Sequence, residues 1–355
     1  TGSFAAADVG KTIEANSGVF VLTATTGTYV ESTAPTSYAQ VASGSWSMYG
    51  VVYNTVDGDL ELSGVTDPAP FDISSVSYSQ AFSVAGQETV PQEIAFNTDG
   101  TKMFIVGHTG DDVNEYALTT GFDVSTASFT DSFSVSAQET SPNGLAFNTD
   151  GTKMFIVGEV GDDVNEYALS TGFDVSTASF TDAFSVAGQD TNPKGLAFNT
   201  DGTKMFIVGN TNDSVYEYTL STGFDVSTST YVDAFSVNAQ EAAPFSVSFN
   251  TDGTKMFVVG RVNNTVYQYT LSTGFDVSTS SYSSISFSVA TQETAANGLA
   301  FNPEGTKMFI VGSTGDDVNE YDVGSFVSTS GYNPVHTTAS IDSTYWTDIN
   351  SMTAD

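Results

Sequence analysis

One phrase, Phe-Asn-Thr-Asp-Gly-Thr-Lys-Met-Phe-Ile-Val-Gly, recurs along the chain and narrows what it can fold into. Copies begin at Phe96, Phe147, Phe198 and, with Val258 for Ile, at Phe249; a fifth, opening Phe-Asn-Pro-Glu-Gly, begins at Phe301. The starts lie 51, 51, 51 and 52 residues apart. A period of that length marks a unit that cannot bury its apolar face alone and stacks against its own copies, as in solenoids, propellers and arrays.

Residues 128–177 show what is being stacked. Residues 128–135 are rich in aromatic and β-branched side chains and read as a strand, which we call d. After a polar turn, residues 144–147 form a short strand a. Asp150-Gly151 then marks a hairpin, because glycine takes positive φ at little steric cost. Residues 153–157 form strand b, apolar on both faces beyond Lys153 and so expected between neighbouring sheets. Residues 164–169 form strand c. Four short strands per repeat of about 50 residues is the pattern of a propeller blade.

The ends of the repeat region are complementary. A d-type strand at residues 77–84 precedes the first a, and the last unit supplies a, b and c up to Tyr321 with no good d after it. The expectation is therefore an all-β, five-bladed β-propeller over residues 71–323, its four-stranded blades closed by the N-terminal strand. Such closure removes the open edge. The alternative is an open array whose last strand comes from the tail. Residues 1–65 read as a small β domain, with strands near 12–14, 19–23, 28–30, 51–53 and 60–62, and residues 66–70 as a stiff linker. Residues 324–355 form a Ser/Thr-rich tail, expected to lead into a further domain.

Charge excludes one class of partner. With 42 acidic and 8 basic residues the net charge is −34, a surface that repels phosphates, so nucleic-acid binding is not expected. The acids are spread over the repeats, which suits a salty, for instance marine, medium where charges are screened. There is no apolar run of membrane-spanning length and no cysteine, hence no disulfide framework or thiolate metal site.

Two flanking stretches, 4–13 (Phe-Ala-Ala-Ala-Asp-Val-Gly-Lys-Thr-Ile) and 43–50 (Ser-Gly-Ser-Trp-Ser-Met-Tyr-Gly), resemble structural proteins of tailed phages. Residues 345–353 (Tyr-Trp-Thr-Asp-Ile-Asn-Ser-Met-Thr) are similar to segments that follow such repeats in marine phage proteins, and the Asp-Gly-Thr-Lys turn resembles that of a broad class of propellers. This resemblance implies a tail-fibre-like or capsid-associated virion protein outside the cell, in contact with other virion proteins and forming a homo-oligomer. It carries over no catalytic residue.

The candidate chemistry is sparse. Asn97 and Asp99 lack the further oxygen ligands of a calcium loop and read as a turn. The paired carboxylates Asp111-Asp112, Asp162-Asp163 and Asp316-Asp317 recur before strand c and read as solvated loops, since glycosidase chemistry needs one asymmetric pair in distinct environments. Gln87-Glu88 and its counterparts are expected to bond neighbouring backbone. Only His108 and His336 are present, too few for a histidine metal site, and no cofactor, metal or catalytic residue is expected.

The repeats differ in one region. After strand b stand His108, Glu159, Asn210, Arg261 and Ser313; the d–a loops carry Lys194, Phe245 and other non-repeated residues. Both loops of a blade open on the same face. Loops on a rigid scaffold commonly carry binding, so His108, Lys194, Phe245 and Arg261 are the expected contacts to a host-surface glycan or protein, with no enzymatic activity. A secreted, lectin-like bacterial adhesin and a purely structural spacer or decoration protein are the alternatives.

Overall fold

The structure, a computed structural model, describes residues 70–324 and, before them, the backbone of seven strands between residues 12 and 62. The chain divides near Ala69/Pro70 into two units, the second spanning Pro70–Ser325. In the first, the seven strands follow one another in an antiparallel meander, from Thr12–Ala15 to Leu60–Leu62. It includes strands at Tyr38–Val41 and Ser45–Met48 that the sequence reading passed over. The tail after residue 324 lies outside the described residues.

The second unit is a five-bladed β-propeller. Each blade is an antiparallel sheet of four strands in the order a-b-c-d, and the a strands of adjacent blades pack against one another around the axis. Blade 1 consists of a (Pro91–Phe96), b (Lys102–Gly107), c (Asp112–Leu118) and d (Ala127–Ser134). Blade 5 has its own a, b and c but takes its d from Val76–Ser83, which pairs with Asp317–Val323 from Val323↔Val76 to Asp317↔Ser83. The N-terminal strand thus closes the ring as expected.

The b strands are buried on both faces, as their composition dictates: Met103, Phe104, Ile105 and Val106 are fully buried, like their counterparts in every blade. Each seam between blades holds a phenylalanine triplet. Phe104 of blade 1 lies 4.5 Å from Phe147 and 6.2 Å from Phe173, both of blade 2. Phe257 of blade 4 and Phe301 of blade 5 repeat this where those blades meet, with Phe71 of the N-terminal segment as the third ring. Phe173 has φ of 57°, as do its equivalents within a few degrees, which is rare for a bulky side chain. Its ring covers Gly151, whose φ is 72° and on which a Cβ would come within 2.2 Å of that ring. The glycine of the Asp-Gly turn is therefore required twice, by its own backbone and by the phenylalanine lying on it.

The repeated lysine is a latch between blades. Lys102 pairs with Glu115 at 2.7 Å and donates to the Phe173 carbonyl of blade 2 at 2.6 Å. The second oxygen of Glu115 accepts from the Val175 amide of the same loop at 3.1 Å. Lys153–Glu166 and Lys204–Glu217 do the same to blades 3 and 4. Lys307 pairs with Glu320, which accepts from Val124 of blade 1. Only blade 4 departs: Gln268 stands in the glutamate position, its Oε1 buried without a donor, and Lys255 bonds the Phe71 and Pro70 carbonyls with no carboxylate partner among the described residues.

Glu217→Ala strips Lys204 and the Val277 amide of their partner and is expected to cost about 3 kcal/mol in urea unfolding. Gln268→Glu, which completes the fifth latch, is expected to stabilise by about 1 kcal/mol, and less at high salt. Destabilisation by Gln268→Glu would contradict the latch.

Candidate functional site

Position along strand a decides what reaches the axis. The third residue is Gly144, Gly195 and Gly298 in three blades, and neighbouring strands come so close that a Cβ on Gly195 would lie 2.7 Å from the Phe245 carbonyl oxygen. The other two blades carry Glu93 and Ser246, which use the space the glycines leave. Glu93 Oε1 accepts from the Ile94 and Leu299 amides, both at 3.0 Å, and the Ser246 hydroxyl bonds its carboxyl. Burial outweighs these bonds and pushes its pKa up to about 8, which favours the neutral carboxyl at pH 7.

One residue earlier, at the end of the axis where the d–a and b–c loops open, stand Gln92, Asn143, Lys194, Phe245 and Asn297. We call this end the upper mouth. The b–c loops surround it in constant register. The amides of His108, Glu159, Asn210, Arg261 and Ser313 each donate to a d–a loop carbonyl at 3.0–3.3 Å. Beneath, a fully buried acid ties the two loops of each blade: Glu88 Oε1 accepts from Val90 at 2.6 Å and Thr109 at 3.0 Å, and Glu139, Asp190, Glu241 and Glu293 act alike. Gln87, by contrast, accepts from the Tyr116 hydroxyl rather than from backbone.

The four residues singled out in the sequence come together here. Arg261 lies over the Phe245 ring, 4.1 Å from its centroid, and Lys194 Nζ lies 4.9 Å from the same centroid. Lys194 forms an ion pair with Glu159, and Asn143 links that pair to His108, 3.1 Å from the imidazole Nε2 and 3.4 Å from Glu159. Arg261 Nε donates to Asn297 at 2.6 Å, and Asn297 to the Pro91 carbonyl at 2.7 Å. Phe245 and Lys194 are buried rather than exposed as loop contacts, while Arg261 and His108 are half-buried. The sequence reading missed the amides Gln92, Asn143 and Asn297, although each breaks the repeat at the same position. It also missed Val160 and Val262, whose side chains project into solvent beside Glu159 and Arg261.

The paired carboxylates are less solvated than expected. The first of each pair (Asp111, Asp162, Asp316) has φ near 50°, a conformation aspartate tolerates, and it is half-buried. Burial and then neighbouring acids hold Asp162 and Asp316 above the usual carboxylate range. In blade 4 the residue is Asn264, whose Oδ1 accepts from the Ala296 amide at 3.0 Å; at the other seams that amide is replaced by a proline. Asn97 and Asp99 form a turn, accepting from the amides of Lys102 and Thr101.

The opposite end of the axis holds a funnel of about 240 Å³ lined by Phe96, Phe147, Phe301 and the turns that follow them. Its residues are those of the repeat itself, and threonine hydroxyls bond carbonyls from blade to blade around it (Thr98 to Thr149, Thr149 to Thr200).

No family model matches the chain, and no curated protein does. Among solved structures it is similar to a functionally unknown protein from Desulfotomaculum acetoxidans, at 12% identity and TM-score 0.41 over 63% of this chain and 80% of that one. A protein from Bacteroides uniformis, provisionally named a 6-phosphogluconolactonase, matches at 10% identity and TM-score 0.41 over 86% and 77%. A Lactobacillus plantarum protein matches at 12% and 0.41 over 87% and 79%. Likenesses this slight carry no chemistry across.

The sign of the Glu93 effect follows from its raised pKa. Stabilisation by the neutral carboxyl is complete below its ordinary value of 4.5 and is lost as pH rises toward about 8. Glu93→Gln and the parent are expected to melt alike at pH 4.5, with the parent falling several degrees below the variant by pH 8.5. Parallel curves would show that Glu93 ionises freely. Glu241→Ala, which unties the loop carrying Arg261, is expected to cost about 2 kcal/mol in the same melts.

Proposed function

We propose that the chain is a non-enzymatic recognition protein whose propeller offers its upper mouth to a host-surface receptor or glycan, borne on the virion of a tailed phage. The observation that carries the recognition reading is the cluster of Arg261, Phe245 and Lys194. Five loops are held in identical register by five buried acids, and the side chains they present are all different. A fold that spends constant residues on loop position and varies what the loops display is suited to binding. In a chain of net charge −34, the basic residues outside the latches among the described residues, Lys194, Arg261 and His108, gather at this mouth. The phage setting rests on the resemblance of the flanking segments. In that setting the first unit attaches the protein to other virion proteins, and display as a homo-oligomer multiplies modest affinities.

An enzymatic reading has one observation in its favour, the raised pKa of Glu93 beneath the mouth. Against it stands the burial of that carboxyl, whose hydrogen bonds are taken up by Ile94, Leu299 and Ser246. The adhesin and spacer readings share the fold and differ in setting and ligand.

The test is binding of the fluorescently labelled full chain to a panel of intact bacteria, beside the Lys194→Ala, Arg261→Ala double variant. Specific binding that drops at least roughly tenfold in the variant is expected, as two charged contacts are lost. Binding to no cell would favour a spacer, and undiminished binding would move recognition off the mouth.

A further inference from the structure

We propose that the upper mouth binds the carboxylate of an acidic sugar in a cell-surface polysaccharide, Arg261 taking the carboxylate and Gln92 a sugar hydroxyl. This rests on the recognition reading above and names its ligand class.

The argument begins with unmatched charge. Among the described residues there are seven lysines and arginines. Lys102, Lys153, Lys194, Lys204 and Lys307 are ion-paired. Lys255 donates to the Phe71 and Pro70 carbonyls. Arg261 gives one bond from Nε to Asn297 and lies on Phe245, and the described residues supply no acceptor to its two terminal amino groups. Two acids act on it through space. Glu159 gives its Oε1 to Lys194 and Asn143, and Glu293 its Oε1 to the Ala295 and Thr314 amides. The buried Glu293 Oε2 has no hydrogen-bond partner among the described residues and reaches Arg261 only through space. Stacking and the Nε bond fix the plane of the guanidinium and leave a two-donor edge, the arrangement that matches a carboxylate in bidentate fashion.

The second, independent observation is an acceptor lacking a donor. Gln92 is 3% exposed and its Oε1 is buried without a hydrogen-bond partner. Its amide nitrogen is occupied by the Val90 carbonyl at 3.1 Å, which settles which way the amide points. A buried, unsatisfied acceptor costs stability, and a ligand hydroxyl would satisfy it. The two features are linked through one hydrogen-bonded chain: Arg261 bonds Asn297, Asn297 bonds the Pro91 carbonyl, and Gln92 follows Pro91. A third orphan, Asn192 Oδ1, lies on the d–a loop that also carries Lys194.

A ligand fitting both features presents a planar pair of acceptor oxygens beside hydroxyl donors. Inorganic sulfate or phosphate satisfies Arg261 alone, and a neutral sugar satisfies Gln92 alone. A uronic acid offers both within one ring, and its C–H face suits Val262, which is 58% exposed beside Arg261. An acidic peptide offers carboxylates and amide donors but no such compact pairing.

The experiment is isothermal titration calorimetry of the full chain with a galacturonic acid trisaccharide. Arms with the neutral galactose trisaccharide, an Asp-containing tripeptide and sodium sulfate run beside it. The acidic trisaccharide is expected to bind at least roughly tenfold more tightly than the other three, and Arg261→Lys to lose about tenfold, since a lysine cannot present the paired donors. Gln92→Met is expected to weaken binding several-fold while leaving the melting temperature unchanged or higher, an outcome that mere structural support by Gln92 would not give. Equal binding of sulfate or of the tripeptide overturns the saccharide assignment, and undiminished binding by Arg261→Lys overturns the site. Binding to cells or to neutral glycans without any response to acidic sugars overturns this inference and leaves the recognition reading standing. Silence toward every glycan and every cell overturns both.

Discussion

The structure depends on how one blade grips the next. In each seam a phenylalanine of the c–d loop adopts positive φ so that its ring can cover the glycine of the Asp-Gly turn and join a triplet with two phenylalanines. That backbone is unfavourable for an aromatic residue and persists only where the surroundings over-determine it. The surroundings here are the lysine and glutamate of the preceding blade, which bind the carbonyl of that phenylalanine and the amide two residues on. Nearly every residue of the repeated phrase has a part in this grip: Phe in the triplet, Asn and Asp in the turn, Gly beneath the ring, Lys in the latch, Met-Phe-Ile-Val in the core.

With the body fixed in this way, the upper mouth can vary at little cost to the fold. The acids under the loops hold backbone rather than side chains, so they set the position of Arg261 or His108 without constraining their identity. The axis shows the same economy: three glycines let the a strands close in, and Glu93 and Ser246 occupy the space left over. Glu93 lies in this plug beneath the mouth, its neutral form favoured by burial.

The fold was legible because its determinants recur. Period, Asp-Gly turns and the displaced d strand specify blades, blade number and closure from local patterns alone. Lys194, Phe245, Arg261 and His108 were legible as departures from the repeat, and the register of the loops brings them together. Gln92, Asn143 and Asn297 depart from the repeat just as clearly, but amides carry no charge or ring to draw notice, and their value appears only when their partners across the axis are known. The latch was not legible either, because Lys102 meets Glu115 across a hairpin and Phe173 across a seam 71 residues away in sequence. The half-burial of the first aspartate in each Asp-Asp pair was likewise not legible, since it depends on neighbours that only the folded ring brings in.

The central claim is that recognition belongs to the upper mouth, on a body whose fivefold constancy serves to hold it. A crystal structure of the full chain grown with an acidic trisaccharide tests this most directly. The account predicts a sugar carboxylate against the terminal amino groups of Arg261 and a hydroxyl within hydrogen-bonding distance of Gln92 Oε1. Sugar bound in the phenylalanine-lined funnel at the other end of the axis, or a mouth left empty at saturating ligand, would contradict it.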